Sequence, residues 1–249
     1  MPRLNTLNTF VLCTFLVVLA YHRAQAQSPI QVYYDERIPY ATSAEKGSVQ
    51  GLTASPVASA LQVANIPFEW KRMPFKRQLI TIKANKKKAC GIGWFKNAER
   101  EGFARLSDPI YQDRPTIIIL RKGNNVFDGH QTVKSLFKDN SIKLLVKDGF
   151  SYGKYLDELI EKDQPSKVVV VGSSNLEMLQ IILSGRADYF FAAQEEAEQM
   201  ITSAGFSTSQ FDLLSLDDMP AGNDRFLACS KQVPAEIIEQ FNKALRETK

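Results

Sequence analysis

Histidine is scarce in this sequence, and its scarcity excludes several kinds of chemistry. The 249 residues include two histidines, His22 and His130, and only His130 lies beyond the N-terminal segment. A Ser-His-Asp triad or a histidine metal site therefore lacks its essential side chains. Gly91 and Gly93 are not followed by a third glycine at the spacing of a dinucleotide fingerprint, and no Walker A motif occurs. We expect no enzyme activity, no cofactor and no metal site.

A strong excess of one charge is also missing. The formal net charge is +4, from 31 Lys and Arg against 27 Asp and Glu. The run Lys86-Lys87-Lys88 is short enough to be a solvated turn, and no aromatic RNA-binding motif is present. We therefore expect no nucleic-acid partner.

An apolar run near the N-terminus predicts export. Residues 9–20 (TFVLCTFLVVLA) precede the small-x-small site Ala24-Gln25-Ala26, after which we expect signal peptidase to cleave. As a helix the run spans about 18 Å, less than the roughly 30 Å of a hydrocarbon core, which argues against a membrane anchor. Removing 26 of the 249 residues leaves a soluble periplasmic protein of 223. Acylation of Cys13 is the alternative, although Cys13 lies inside the apolar run.

Short apolar runs alternate with helix-period segments after residue 30, the pattern of an α/β fold with a largely parallel sheet. We expect a helix capped by Ser55 with Pro56 at its first position, and another capped by Ser174 with Glu177 completing a capping box. A last helix opens at Pro234. The predicted strands are IQVYY at 30, FEWKR at 68, ACGIGWF at 89, TIIIL at 116, IKLLV at 142, KVVVV at 167, ADYFFA at 187 and RFLACS at 225.

Two cysteines, Cys90 and Cys229, remain after cleavage, in a compartment expected to be oxidising. They are either two buried thiols or one disulfide between distant parts of the chain. An acidic cluster also leaves two interpretations open. Glu195 and Glu198 share a helix face and either bind a cationic group or lie in solvent near a helix start.

Residues 89–111 (ACGIGWFKNAEREGFARLSDPIY) resemble the end of the first lobe in bacterial extracellular solute-binding proteins of family 3, which are associated with polar amino-acid uptake. The resemblance extends over nearly the whole mature chain. Ile38-Pro39-Tyr40, Lys147-Asp148-Gly149-Phe150 and the segment from Ile182 to Asp188 are similar to further family motifs in the same order.

This resemblance implies the two-lobe periplasmic binding protein type II fold, with two crossing strands between the lobes. Residues 28–117 and 212–249 are then lobe 1, and residues 118–211 are lobe 2. Cys90 and Cys229 fall in the same lobe, which favours the disulfide.

The resemblance also implies which residues bind a ligand. Arg100 matches the arginine that holds a ligand α-carboxylate, a group that its planar guanidinium meets with two parallel hydrogen bonds. Tyr40 falls near the family's aromatic wall, and Tyr34 and Phe75 are further candidates for it. Trp94 and Phe95 are also candidates, but strand neighbours face opposite ways, so we expect only one to reach the cleft.

In the second lobe, Phe150 and Ser151 lie at a turn that opens a helix, where free backbone N–H groups can hold an anion. Asn97 or Phe95 stands where the family commonly has a hydroxyl residue. Ala193 stands where the family has an acidic residue for the ligand's ammonium, and Glu195 or Glu196, two or three positions away, is the candidate substitute. A standard α-amino acid is therefore in doubt as the ligand.

These features predict capture of a small polar ligand with a carboxylate, such as an amino acid, by lobe closure and delivery to an ABC transporter. The alternatives are a periplasmic sensor that reports to a membrane receptor, or an enzyme that uses Glu195 or Glu196. We expect a monomer.

Overall fold

The computed structural model describes residues 28–248 except residues 164, 166 and 173, so the expected signal peptide at 1–26 and Cys13 lie outside the described residues. The strands are β1 (Ile30–Tyr34), β2 (Thr42–Ser43), β3 (Val49–Gln50), β4 (Phe68–Arg72), β5 (Ala89–Trp94), β6 (Ala104–Gln112), β7 (Thr116–Arg121), β8 (Leu144–Lys147), β9 (Val168–Val171), β10 (Tyr189–Ala193), β11 (Phe211–Leu214) and β12 (Asp224–Ser230). The helices are α1 (Ala54–Val63), α2 (Phe75–Lys83), α3 (Ala98–Phe103), α4 (Val133–Lys138), α5 (Lys154–Lys162), α6 (Asn175–Leu183), α7 (Gln194–Ser203) and α8 (Ala235–Glu247).

The first sheet has the strand order β4-β1-β5-β12-β6. Strands β4, β1 and β5 are parallel, and β12 runs antiparallel to both of its neighbours. Leu61 of α1 and Phe241 of α8 pack into one core cluster with Leu227 and Cys229 of β12. Ala228 lies between those two β12 residues and belongs to a second cluster, so both faces of the sheet are covered.

The second sheet has the order β11-β7-β10-β8-β9. Strand β7 is antiparallel to β10 and β11, whereas β10, β8 and β9 are parallel. Phe190 packs with α6 and α7 on one face, and its neighbour Tyr189 packs with α4 and α5 on the other. This central strand, YFFAA, is buried along its whole length, as expected for a strand with helices on both sides. We call the part of the chain around each sheet a lobe.

Two short segments, 113–115 and 215–223, connect the lobes and lie side by side. The Asp113 amide donates to the carbonyl of Asn223 at 2.9 Å. A Cβ atom at Gly222 would overlap the carbonyl of Asp113, so this crossing requires glycine. The expected lobe boundaries at 117/118 and 211/212 fall inside β7 and β11, and both strands belong to the second sheet. We therefore propose that the lobes divide within the two connecting segments.

The predicted strands and helices are present in the structure and differ from it at their ends. The first helix begins at Ala54 with Thr53 at its N-cap position, so the expected cap at Ser55 is wrong. Ser174 does cap α6, and its side chain accepts from the Glu177 amide at 3.4 Å. The last helix begins at Ala235, directly after Pro234. Strands β2, β3, β6 and β11 had no sequence prediction.

A disulfide joins Cys90 to Cys229, which confirms the second of the two interpretations of these cysteines. The two residues are direct partners in the antiparallel pairing of β5 and β12. The bond therefore ties the C-terminal part of the chain to a strand 139 residues earlier, within the first lobe.

Reduction of this disulfide is expected to lower the free energy of unfolding by about 2–4 kcal/mol, because the reduced chain has more unfolded conformations. Urea unfolding with and without dithiothreitol measures this change. A Cys90→Ser, Cys229→Ser double variant is the control, since dithiothreitol should leave its unfolding midpoint unchanged. Equal midpoints for the native protein with and without reductant would contradict the prediction.

Across the described part of the chain, no helix combines the length and apolar composition needed to cross a membrane.

Candidate functional site

A cavity of about 70 Å³ lies between the two lobes. One water needs about 10–15 Å³, so the cavity has room for a few waters or for part of a small ligand. Five of its lining residues lie at or just after the carboxyl ends of parallel strands in the two sheets. Arg37 follows β1, Phe75 follows β4, Phe95 follows β5, Lys147 ends β8 and Glu196 follows β10. Ligand sites of open α/β sheets form at such strand ends.

Arg100 lines this cavity and is 4% exposed, which is unusual for a charged side chain. Its Nη1 atom donates to the carbonyl of Phe95 at 2.7 Å. Its Cζ atom lies 5.5 Å from the ring centre of Phe75 and 5.4 Å from that of Trp94. No carboxylate of the described residues lies within ion-pair distance of Arg100. The guanidinium is therefore buried with aromatic neighbours and without a counter-ion.

Helix α3 positions Arg100. Asn97 is the N-cap of this helix, and its Oδ1 atom accepts from the Arg100 amide at 2.9 Å. Burial lowers the pKa of Arg100, while the charges of Asp157 and Glu99 raise it. The side chain stays cationic at neutral pH, because an arginine keeps its proton in proteins.

Aromatic rings from both lobes meet beside Arg100. Phe75 of the first lobe and Phe150 of the second lie with ring centres 4.9 Å apart, and Phe75 lies 5.1 Å from Trp94. Trp94 and Phe95 both line the cavity, so the expectation that only one would reach it is wrong. Strand β5 ends at Trp94, and strand alternation does not extend to the next residue.

The turn before α5 brings Ser151 to the cavity lining. Its hydroxyl donates to Oδ2 of Asp157, and the Tyr152 amide donates to Oδ1 of the same carboxylate at 2.7 Å. Burial raises the pKa of Asp157, while these hydrogen bonds lower it. Because the Ser151 hydroxyl already donates its proton to Asp157, its oxygen can accept a hydrogen bond from a ligand but cannot donate one.

A buried ion pair between Arg225 and Asp113 also lines the cavity. Arg225 Nε donates to Asp113 Oδ1 at 2.6 Å, and the two side chains are 4% and 2% exposed. Tyr40 also donates to this carboxylate oxygen, at 3.2 Å. The guanidinium lies 3.9 Å from the ring centre of Tyr40 and 4.6 Å from that of Phe95. Burial raises the pKa of Asp113, and the charge of Arg225 lowers it.

A second ion pair crosses from one lobe to the other. Arg37 Nε and Nη2 donate to the two carboxylate oxygens of Glu196 at 2.6 and 2.5 Å. Burial opposes the charge on Arg37, but the Glu196 carboxylate outweighs it, so the pKa of Arg37 is raised. This bidentate pair connects the two lobes and occupies both oxygens of Glu196.

Lys147 is the remaining cation of the cavity wall. Its ammonium lies 4.5 Å from the ring centre of Phe150 and has no hydrogen-bond or ion-pair partner among the described residues. Burial lowers the pKa of Lys147, and the charge of Arg37 lowers it further, while Asp35 and Glu196 raise it.

A more open part of the cleft adjoins the cavity and shares Arg37, Phe75, Lys147 and Phe150 with it. An exposed ion pair between Lys76 and Asp148 spans the lobes at this opening. The lobes therefore contact each other around the cavity.

Four of the predicted ligand residues do not line the cavity. Tyr34 packs on Trp70 in the core of the first lobe and bonds to Ser43. Tyr40 lies beneath the wall, against Arg225, and Asn97 acts as a helix cap. The fourth is Glu195, whose Oε1 atom accepts from the Tyr111 hydroxyl at 2.9 Å and from the Arg114 amide at 2.5 Å.

The other six predicted residues, Arg100, Phe75, Trp94, Phe95, Phe150 and Ser151, do line the cavity. Sequence reasoning missed Arg37, Lys147 and Arg225. Arg37 and Lys147 each lie at the carboxyl end of a predicted strand, and that position could have singled them out.

The described residues contain no group of three or more His, Cys, Asp or Glu side chains that could hold a metal ion. His130 instead lies 3.2 Å from Asp139, and it is absent from the cavity lining.

The family model described as "Bacterial extracellular solute-binding proteins, family 3" matches residues 30–249. The chain matches none of the curated proteins with which it was compared.

Several solved structures share the fold. An ancestral arginine-binding protein bound to arginine superposes with a TM-score of 0.67 at 20% identity, over 89% of this chain and 92% of that one. The substrate-binding protein AbpA of an amino acid ABC transporter from Streptococcus pneumoniae, bound to L-arginine, gives 0.67 at 16% identity, over 88% and 87%. The arginine-, lysine-, histidine-binding protein ArtJ from Geobacillus stearothermophilus gives 0.66 at 14% identity, over 89% of each chain. These likenesses confirm the two-lobe type II periplasmic binding protein fold.

Proposed function

Since this chain belongs to the bacterial extracellular solute-binding proteins of family 3, we propose that it captures a small carboxylate-bearing ligand by closing its two lobes. Calorimetry with the mature protein against a library of amino acids and small carboxylates tests the proposal. We expect at least one carboxylate to bind and to raise the unfolding temperature, because a ligand that binds only the folded state stabilises it. A folded sample that binds no member of the library would overturn it.

Arg100 carries this proposal. A buried guanidinium without a counter-ion is costly, and an anion that enters the cavity would supply one. The planar fork of arginine matches the two oxygens of a carboxylate. Phe75 and Trp94 flank the guanidinium and exclude water from it, which strengthens its attraction for an anion.

The second lobe supplies residues that would cover the bound ligand when the lobes close. Phe150 meets Phe75 across the cleft, and the Ser151 oxygen can accept a hydrogen bond from a ligand. In our proposal both contacts form when the two connecting segments, 113–115 and 215–223, bend and bring the lobes together, so that the bound ligand is buried between them.

We further propose that the protein is exported to the periplasm, with cleavage after Ala26, and delivers its ligand to an ABC permease as a monomer. Membership of an extracellular solute-binding family supports the export, and similarity to substrate-binding proteins of amino acid ABC transporters supports the partner. Mass spectrometry of the periplasmic protein tests the cleavage, since a mature N-terminus other than Gln27 would contradict it.

A further inference from the structure

The cavity wall carries more positive than negative side chains. Among the described residues it contains four cations, Arg37, Arg100, Lys147 and Arg225, and two carboxylates, Asp113 and Glu196. Two positive charges therefore have no negative partner in the wall. In a site of low dielectric this excess favours anions and repels cationic groups.

Each of the two carboxylates already forms an ion pair with an arginine. Glu196 binds Arg37 through both oxygens, at 2.6 and 2.5 Å, and Asp113 accepts from Arg225 at 2.6 Å. Asp157 lies near Arg100 but outside the lining, and its oxygens accept from the turn at residues 151 and 152. A ligand ammonium would have to share a carboxylate with an arginine that already neutralises its charge, so it would gain little attraction there and would be repelled by the arginine.

The two unpaired cations belong to different lobes. Arg100 of the first lobe contacts the ring of Phe75, and Lys147 of the second lobe contacts the ring of Phe150. These two rings pack against each other across the cleft. The unpaired charges therefore flank an aromatic contact between the lobes, and a ligand with two anionic groups could contact one cation of each lobe.

From this arrangement we infer that the ligand has two anionic groups and no ammonium, with Arg100 binding one anionic group and Lys147 the other. This inference rests on the proposed function. A short dicarboxylate has this chemistry. Lys147 is then a specificity-determining residue, because it distinguishes a dianion from a monoanion.

Three ligands of matched length test the inference by calorimetry near neutral pH. Glutarate has two carboxylates, glutamate adds an ammonium to the same skeleton, and pentanoate has one carboxylate. We expect glutarate to bind at least about tenfold more tightly than either of the others, since one lost charge contact or one repelled charge costs that much or more. Malonate, succinate and adipate differ from glutarate in the distance between their carboxylates. We expect the affinity to be highest at one chain length, the one that matches the spacing of the two cations.

Substitution of Lys147 isolates the second contact. In a Lys147→Gln variant we expect the affinity for glutarate to fall about tenfold or more, toward that of pentanoate, while pentanoate binding changes about twofold or less. Lys147→Arg should retain most of the preference because it keeps the charge. Lys162→Gln removes an exposed lysine of the same lobe, outside the cavity lining, and is the matched control.

The outcomes separate this inference from the proposed function. If glutamate or pentanoate binds as tightly as glutarate, or if Lys147→Gln weakens glutarate and pentanoate equally, the dianion inference is wrong and carboxylate capture stands. If no carboxylate or amino acid binds the folded protein, the proposed function itself fails and the inference fails with it.

Discussion

We expect an Arg100→Met variant to bind its carboxylate ligand at least about 30-fold more weakly than the native protein does. The reason is that truncating one member of a buried charge contact costs about 2 kcal/mol or more. The same variant is expected to unfold, without ligand, at the native temperature or above it. Calorimetry measures the first change and differential scanning calorimetry the second.

The two halves of this expectation follow from one observation. Arg100 is buried against two aromatic rings and has no described carboxylate in ion-pair distance. Replacing an uncompensated buried charge by an apolar side chain of similar length removes its desolvation cost. A residue kept for packing alone would show the reverse, since its loss would lower stability and leave binding unchanged.

Two variants sharpen the interpretation of this experiment. Arg100→Lys keeps the charge but lacks the planar fork, so we expect an affinity between those of the native protein and Arg100→Met. Arg77→Met removes an exposed arginine of the same lobe that does not line the cavity, and its affinity should be native. Native affinity in Arg100→Met would contradict the assignment of Arg100 as the anion-binding residue.

The sequence predicts the strands of the sheet interiors well because their burial is local and continuous. Strand β10 is buried at every position, and its apolar run is visible in the sequence. Strand β6 was missed because Arg105, Ser107 and Asp108 interrupt its apolar pattern. It lies at the edge of the first sheet and is fully buried only at Ala104, Ser107 and Ile110, which is a weaker signal than a continuous buried run.

The site was predictable only where one segment carries the information. Arg100, its cap Asn97 and the aromatic residues 94 and 95 lie within one short motif. The ion pair between Arg37 and Glu196 joins residues 159 positions apart, and no local pattern reveals such a contact. The doubt about an amino-acid ligand was drawn from Ala193, whereas the structure adds that the neighbouring Glu196 is already bound to an arginine.

Breaking the Asp113–Arg225 pair on one side is expected to lower the free energy of unfolding by about 3–5 kcal/mol at neutral pH. In an Arg225→Met variant the Asp113 carboxylate would stay buried without its cation, retaining the hydrogen bond from Tyr40. Urea unfolding measures the loss. Lys83→Met breaks an exposed pair with Glu99 and is the matched control, with an expected change of about 0–1 kcal/mol.

The pH dependence of this loss identifies its cause. Burial already raises the pKa of Asp113 above 3.8, and Arg225 counteracts this, so removing Arg225 should raise the pKa further. A carboxyl group whose pKa is raised in the folded state binds a proton more readily when the protein is folded. The buried carboxylate therefore lowers the free energy of unfolding at pH values above its folded-state pKa, and this loss declines as the pH falls toward 3.8, the ordinary pKa of the group. The deficit of Arg225→Met should therefore shrink in mildly acidic solution, and Asp113→Asn combined with Arg225→Met should remove this pH dependence. If the loss of unfolding free energy stays constant with pH, its cause is the lost packing of Arg225 against the rings of Tyr40 and Phe95, and not the unpaired carboxylate.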